Sequence, residues 1–363
     1  MKTSRLESPL ILELPSISDT LTGLSIAFAT ATISSRAQRG ATTTNPVNHN
    51  TIANMSTTLI FIHGSWHQAN CYDPIINLIK PHFKCISITL PSTTGNPSAT
   101  FKDDLDVARE AISTELDHER NVVIIAHSYG GMVGNSAIKG FAQSHSKGQA
   151  HIQGLILIAS GFTLTGLSFM DPFLGHPPPA WRVNQETGFA ELVADPRDLF
   201  YHDLPEDEAE FWVSQLTYQS LKALFEGGEY TYGGWKDVPT WYIGTVEDRG
   251  IPVLAQRLGV GMAREMGGDV QHRELRTSHS PFLSQPEATV GIIFEALEAF
   301  TGVKVESVGG RMVPVLPRAS LWQPLSWLKF GLPLAFGRVI GRGIVVFGWG
   351  RRLWRSRFGL RSL

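Results

Sequence analysis

The stretch NVVIIAHSYGGMVGNSAIKG, residues 121–140, decides the fold. Val122, Val123, Ile124 and Ile125 form a β-branched run that is apolar on both faces. Such a run suits a strand covered on both sides, as in a parallel sheet between helices. The pattern breaks at His127-Ser128-Tyr129-Gly130-Gly131, and a helix-compatible pattern follows. Ala126 and Gly130, two residues before and two after Ser128, permit a sharp turn. That turn presents the serine at the sheet edge, above the backbone N–H groups of a helix N-terminus. Gly131 leaves further room for the helix to pack on the strand.

The same alternation extends outward. TTLIFIH (57–63), KCISITL (84–90), GLILIAS (154–160), TWYIGT (240–245) and VQHREL (270–275) read as further strands. Helical patterns lie between them near 73–82, 102–117, 129–142, 251–266 and 286–300. This predicts an α/β fold with a doubly wound, mostly parallel sheet over residues 55–301. The interval 162–239 breaks the alternation with GHPPPAW and an acidic amphipathic stretch, LPEDEAEFWVSQLTYQSLKALF. An insert of that length predicts a helical cap over the C-terminal edge of the sheet.

Composition bounds the function. The 363 residues are 42% apolar, enough for a core without covalent staples. Cys71 and Cys85 make no disulfide framework; they read as free thiols in a reducing, cytoplasmic setting, or as one incidental pair. No CxxC or HExxH spacing occurs, so neither a metal nor another cofactor is expected. Residues 55–301 carry 16 basic and 29 acidic side chains, an acidic body ill suited to nucleic acid. Residues 302–363 carry 11 basic and 1 acidic, with Trp322, Trp327, Trp349 and Trp354 interleaved among arginines. Two readings of that tail compete: a membrane-surface segment, and a misassigned exon end, since Gly and Pro are scattered through it and no strict helical period holds. Residues 1–54 are rich in Ser, Thr and Ala and predict a disordered extension; Met55 is an alternative start.

A serine hydroxyl becomes a useful nucleophile only with a base, a group that orients the base, and donors for the oxyanion. The fold places these partners after later strands, in the order Ser, acid, His. VEDRGIP follows TWYIGT and offers Glu247 and Asp248; Asp248 is preferred because the loop then turns into a helix at Ile251-Pro252. His279 follows VQHREL by a short loop. Tyr129 supplies one oxyanion N–H, and the Gly64 loop supplies another from Ser65, with Trp66 as the alternative. Trp66 and His67 are also candidate pocket residues.

Together FIHGSWH, TLPSTTG, VVIIAHSYGGMVG, YIGTVEDRGIP and SHSPFLSQPE resemble the α/β-hydrolase superfamily. The set looks closest to small-ester hydrolases related to plant methyl esterases and hydroxynitrile lyases. The resemblance covers residues 57–301. It implies Ser128 as nucleophile, His279 as base, Asp248 as orienting acid, and Ser65 and Tyr129 amides as the oxyanion hole. It also implies a cap between strands 6 and 7 of the family's sheet. The lyase branch typically carries threonine where Gly64 stands and lysine where Ser280 stands, so ester or thioester hydrolysis is favoured. A lyase, transferase or cyclase on the same triad, and a binding protein with little turnover, are the competing expectations. The implied partner is a small, largely apolar ester; oligomeric state is open.

Overall fold

The computed structural model describes residues 57–142, 149–305, 315–317, 319–320 and 322–358. The expectations for residues 1–54 and for Met55 fall outside that range. In chain order the strands are β1 (Thr57–Ile62), β2 (Lys84–Ile88), β3 (Asn121–His127), β4 (Ile152–Ile158), β5 (Trp181–Asn184), β6 (Phe189–Leu192), β7 (Thr240–Thr245) and β8 (Val270–Leu275). Six of them form one sheet, ordered β2-β1-β3-β4-β7-β8, with every neighbouring pair parallel. β1 is buried along its whole length, and β3 and β4 nearly so, whereas the edge strand β2 is half exposed. This is the burial that two-faced apolar runs require, since a parallel sheet needs helices on both sides.

Those helices are α1 (Asp73–Ile79), α2 (Phe101–Asp117), α3 (Gly130–Ala137), α4 (Pro196–Phe200), α5 (Glu206–Ser214), α6 (Leu221–Phe225), α7 (Val253–Glu265), α8 (Pro281–Ser284), α9 (Pro286–Thr301) and α10 (Leu332–Phe358). α2 begins at a capping box: the Thr100 side chain accepts from the Asp103 amide while Asp103 accepts from the Thr100 amide. Leu105, Ala108 and Ile112 recur at helical spacing and are buried. α2 packs with α3, and α1 with α9.

The insert lies where expected, leaving the sheet after its fourth strand in chain order, β4, and returning at the fifth, β7; the numbering 6 and 7 is the family's, whereas this sheet has six strands among the described residues. The cap departs from expectation in not being purely helical. β5 and β6 form an antiparallel hairpin, with Trp181 opposite Leu192 and Asn184 opposite Phe189. The acidic stretch becomes α5 and α6, which expose Phe211 and bury Trp212.

The tail is largely helical despite its scattered Gly and Pro. A turn at Pro324–Ser326 and a wider turn at Trp327–Gly331 lead into the 27-residue α10, which packs against α7. Val315 exchanges both backbone bonds, at 3.0 Å each, with Glu274 on the outer edge of β8. Two of its glycines, Gly337 and Gly341, stand where the two backbones meet.

Candidate active site

A parallel sheet brings the ends of all its strands to one edge, and every candidate residue stands in a loop leaving that edge. Ser128 follows β3 with φ of +50°, a left-handed conformation that is costly for a residue with a Cβ. Neighbouring strands hold it there. Its N–H donates to the Ile158 carbonyl at 3.1 Å, and its own carbonyl accepts from the Ser160 hydroxyl at 2.7 Å. A Cβ on Gly130 would lie 2.2 Å from the His63 carbonyl oxygen, so only glycine lets α3 start this close to β1. The methyl of Ala126 faces Gly134 of α3.

Asp248 and His279 come together as a buried pair, Oδ2 to Nδ1 at 2.8 Å. Thr245 Oγ1 donates to the same Oδ2 at 2.6 Å and Gln256 Nε2 at 3.1 Å, while the Gly250 and Ile251 amides donate to Oδ1 at 2.8 and 2.7 Å. Burial pushes the Asp248 carboxyl up, but His279, the Thr245 hydroxyl and the Ile251 amide outweigh it and hold it below its ordinary range. Glu247 points away, half exposed and paired with Arg276. Of the two acids, Asp248 is the one that reaches His279.

Three further histidines crowd beneath the site. His127 Nε2 donates to the His279 carbonyl at 3.0 Å, and the two rings are 4.6 Å apart. His67 Nδ1 donates to the Ser65 carbonyl at 2.8 Å, leaving Nε2 to accept from Tyr201 Oη at 2.9 Å. His63 Nδ1 donates to the Gly64 carbonyl at 2.9 Å, and its Nε2 accepts from the Leu90 amide at 3.2 Å. His63 and His67 each use one nitrogen as donor and the other as acceptor, so both are neutral with fixed tautomers. Burial lowers His63 to about 4 and His67 to about 3, and holds His127 well below its ordinary value.

Among the described residues, the amides of Ser65, Trp66 and Tyr129 donate to no protein acceptor. Gly64 brings this loop against the serine: a Cβ there would lie 2.9 Å from Ser128 Cβ and 2.9 Å from His127 Nδ1. Trp66, in a left-handed conformation with φ of +61°, is buried at the seam with the cap. Its Nε1 donates to the Ala190 carbonyl, and its ring meets Trp181 and Phe200. His67 reaches the cap through Tyr201. Phe200 lies 5.7 Å from the His279 ring and Phe169 lies 5.6 Å from Tyr129, whereas Phe173 is half exposed beyond them.

Several residues escaped sequence reading. Asp104, buried in α2, accepts from Tyr129 Oη at 2.7 Å and from the Ser92 amide at 2.8 Å. Burial raises it to about 6 despite those bonds. Its only signal was an acid on the apolar face of a helix. Thr245, three residues before Asp248, and Gln256 on α7 carried no signal at all.

The alpha/beta hydrolase family model matches residues 59–292. Among relatives, the alpha/beta hydrolase nvfD of Aspergillus novofumigatus is 25% identical over 243 residues, covering 66% of this chain and 95% of that protein. A probable hydrolase, R7, of a Phoma species is 24% identical, covering 65% and 96%. Among solved structures, polyneuridine aldehyde esterase superposes with a TM-score of 0.51 at 18% identity, covering 66% of this chain and 99% of that one. Tomato methylketone synthase I with 2-tridecanone superposes at 0.52 and 14% identity, covering 67% and 98%. The structural likenesses speak for the fold alone. The family match spans well over half of the chain, and with the six-stranded parallel sheet and its strand-to-helix serine turn it makes this protein a member of the alpha/beta hydrolase family.

Proposed function

We propose that the protein is a serine hydrolase cleaving a small to medium, largely apolar carboxylic ester or thioester. The observation that carries this is the buried Asp248–His279 bond of 2.8 Å at the sheet edge where the strained Ser128 turn stands. His279 takes the Ser128 proton as Oγ attacks the carbonyl carbon, and Asp248 holds the imidazole and stabilises the imidazolium that forms. The Ser65 and Tyr129 amides receive the oxyanion. The imidazolium then protonates the leaving alcohol or thiol, and water, deprotonated by His279, releases the acid. An apolar substrate suits Trp66, Phe169 and Phe200, which bring aromatic surface to the loops around the triad. Two relatives described as hydrolases favour this chemistry; an ester of specialised metabolism is the substrate class in view.

Two observations weigh against a lyase on the same triad. The space at Gly64 has no room for a larger residue without moving Ser128. Ser280, at the position of the lyase branch's lysine, is a buried hydroxyl and brings no cation. The test is a fluorophosphonate probe with peptide mass spectrometry. The expected result is an adduct on Ser128 that disappears in His279→Ala. A folded protein that takes no adduct, or takes it elsewhere, refutes the assignment.

A further inference from the structure

We propose that the outer face of α10 is a binding surface for an anionic phospholipid bilayer, on which the helix lies in the plane of the membrane. The helix is built inside out for a helix in water. A surface helix normally turns its large apolar side chains to the core and its small or polar ones to solvent. Here the face turned inward is small: a Cβ on Gly337 would lie 2.1 Å from the Leu258 carbonyl oxygen, and one on Gly261 of α7 would lie 2.2 Å from that of Leu334. Leu328, Leu332, Phe336, Val339, Val346 and Phe347 instead project outward, each more than half exposed. Small residues at the contact and large apolar residues away from it is the pattern of helices that pack in lipid.

Charge selects the lipid. Residues 302–363 are net +10, whereas residues 55–301 are net −13. An anionic surface attracts the first and repels the second, so the tail side faces the bilayer. Lys329 and Arg338 are exposed beside the apolar face, as a membrane-surface helix requires.

Length alone would allow a span, since Pro324–Phe347 is long and apolar enough to cross a membrane and only 17% of its apolar window is buried. The attachments to the body exclude threading. Arg257 Nη1 donates to the Lys329 carbonyl at 2.8 Å while its other nitrogens hold Glu274, and Arg342 pairs with Glu265. A spanning α10 would carry these charged groups of α7 and β8 into hydrocarbon. The helix therefore lies flat, docked on one side and immersed on the other.

The test uses the full chain with phosphatidylcholine vesicles, with and without about a third phosphatidylserine. Wild type is expected to float with the anionic vesicles at least about tenfold more than with neutral ones, and alkaline carbonate is expected to release it. Leu332→Ser/Phe336→Ser/Val339→Ser alters only exposed side chains; it is expected to lose flotation on both while melting at the wild-type temperature. Lys329→Glu/Arg338→Glu, which takes the tail from +10 to +6, is expected to weaken the preference for phosphatidylserine. Equal flotation of wild type and the triple variant overturns the proposal, as does resistance to carbonate, which marks a span. A wild-type dimer that does not float and that the triple variant dissolves assigns the face to a second copy, and also overturns it.

Discussion

Mild acid is the perturbation that should most reveal how this site is built. His63, His67, His127 and His272 are all buried, and all are held below the ordinary imidazole value: His63 to about 4, His67 and His272 to about 3, His127 well below. Burial is the leading cause in each. At His272, Glu274 lies 3.4 Å away but is already engaged by Arg257, so burial and the charges of Arg264, Arg257 and Arg273 prevail. A depressed value means that the unfolded chain binds a proton the native state refuses. The stabilisation is complete above about pH 6.5 and is lost as pH falls toward 4. Asp104 acts in the opposite sense. Its carboxyl, raised to about 6, takes up a proton in the folded state and returns part of the loss between pH 6 and 4. Near pH 5.5 the net difference is about three protons, which is about 4 kcal/mol of stability per pH unit. Integrated from pH 6.5 to 5.5, the loss is about 3 kcal/mol, against a typical total of about 5–15 kcal/mol. Urea unfolding followed by tryptophan fluorescence at pH 7.5, 6.5 and 5.5 measures it. His272→Gln, remote from the serine, should remove about one proton and flatten the slope by about 1 kcal/mol per pH unit. A stability that changes by less than about 1 kcal/mol between pH 6.5 and 5.5 would show that these imidazoles are not neutral and buried as described.

Other expectations concern the triad and its surroundings. Ser128→Ala and His279→Ala should each lower kcat by about 10⁴-fold or more, with little further loss in the double variant, as steady-state kinetics on an aryl ester will show. Asp248→Asn should cost about 10⁴-fold through the wrong imidazole tautomer, while Glu247→Gln, which breaks only a surface pair, should stay within about twofold; the reverse order would reassign the acid. Gly64→Ala places a methyl against Ser128 and should reduce kcat by about 10²-fold with little change in melting temperature, since the displacement falls on the nucleophile.

The sheet was legible because its strands are buried on both faces, so β-branched runs such as TTLIFI and NVVIIA had no competing period. Ser128 and His279 were legible because chemistry and chain order both demanded them where they stand. Asp248 was harder: Glu247 is its neighbour, and only the Thr245 hydroxyl and the Gly250 and Ile251 amides converging on its carboxylate separate the two. The cap hairpin was hidden because WRVN and FAEL are short and flank a loop without strong turn residues beyond Gly188. The helix of the tail went unseen for a definite reason. Its helical period lies in the small residues Pro333, Gly337 and Gly341, which a search for apolar periodicity counts as breaks.

The bond between Val315 and Glu274 bears on how this protein can be cut. The region matched to the family stops at residue 292, inside α9, so trimming the chain just after that helix, at residue 301, is the obvious way to make a minimal enzyme. Such a fragment would uncover the backbone edge of β8, the strand that leads to His279, and the glycine-lined back of α7. An open strand edge recruits other strands. Arg257 would lose the carbonyl of Lys329, while Glu274 would keep its guanidinium with nothing behind it. The minimal enzyme would be prone to self-association, and its failure in solution would say nothing about the chemistry of the serine.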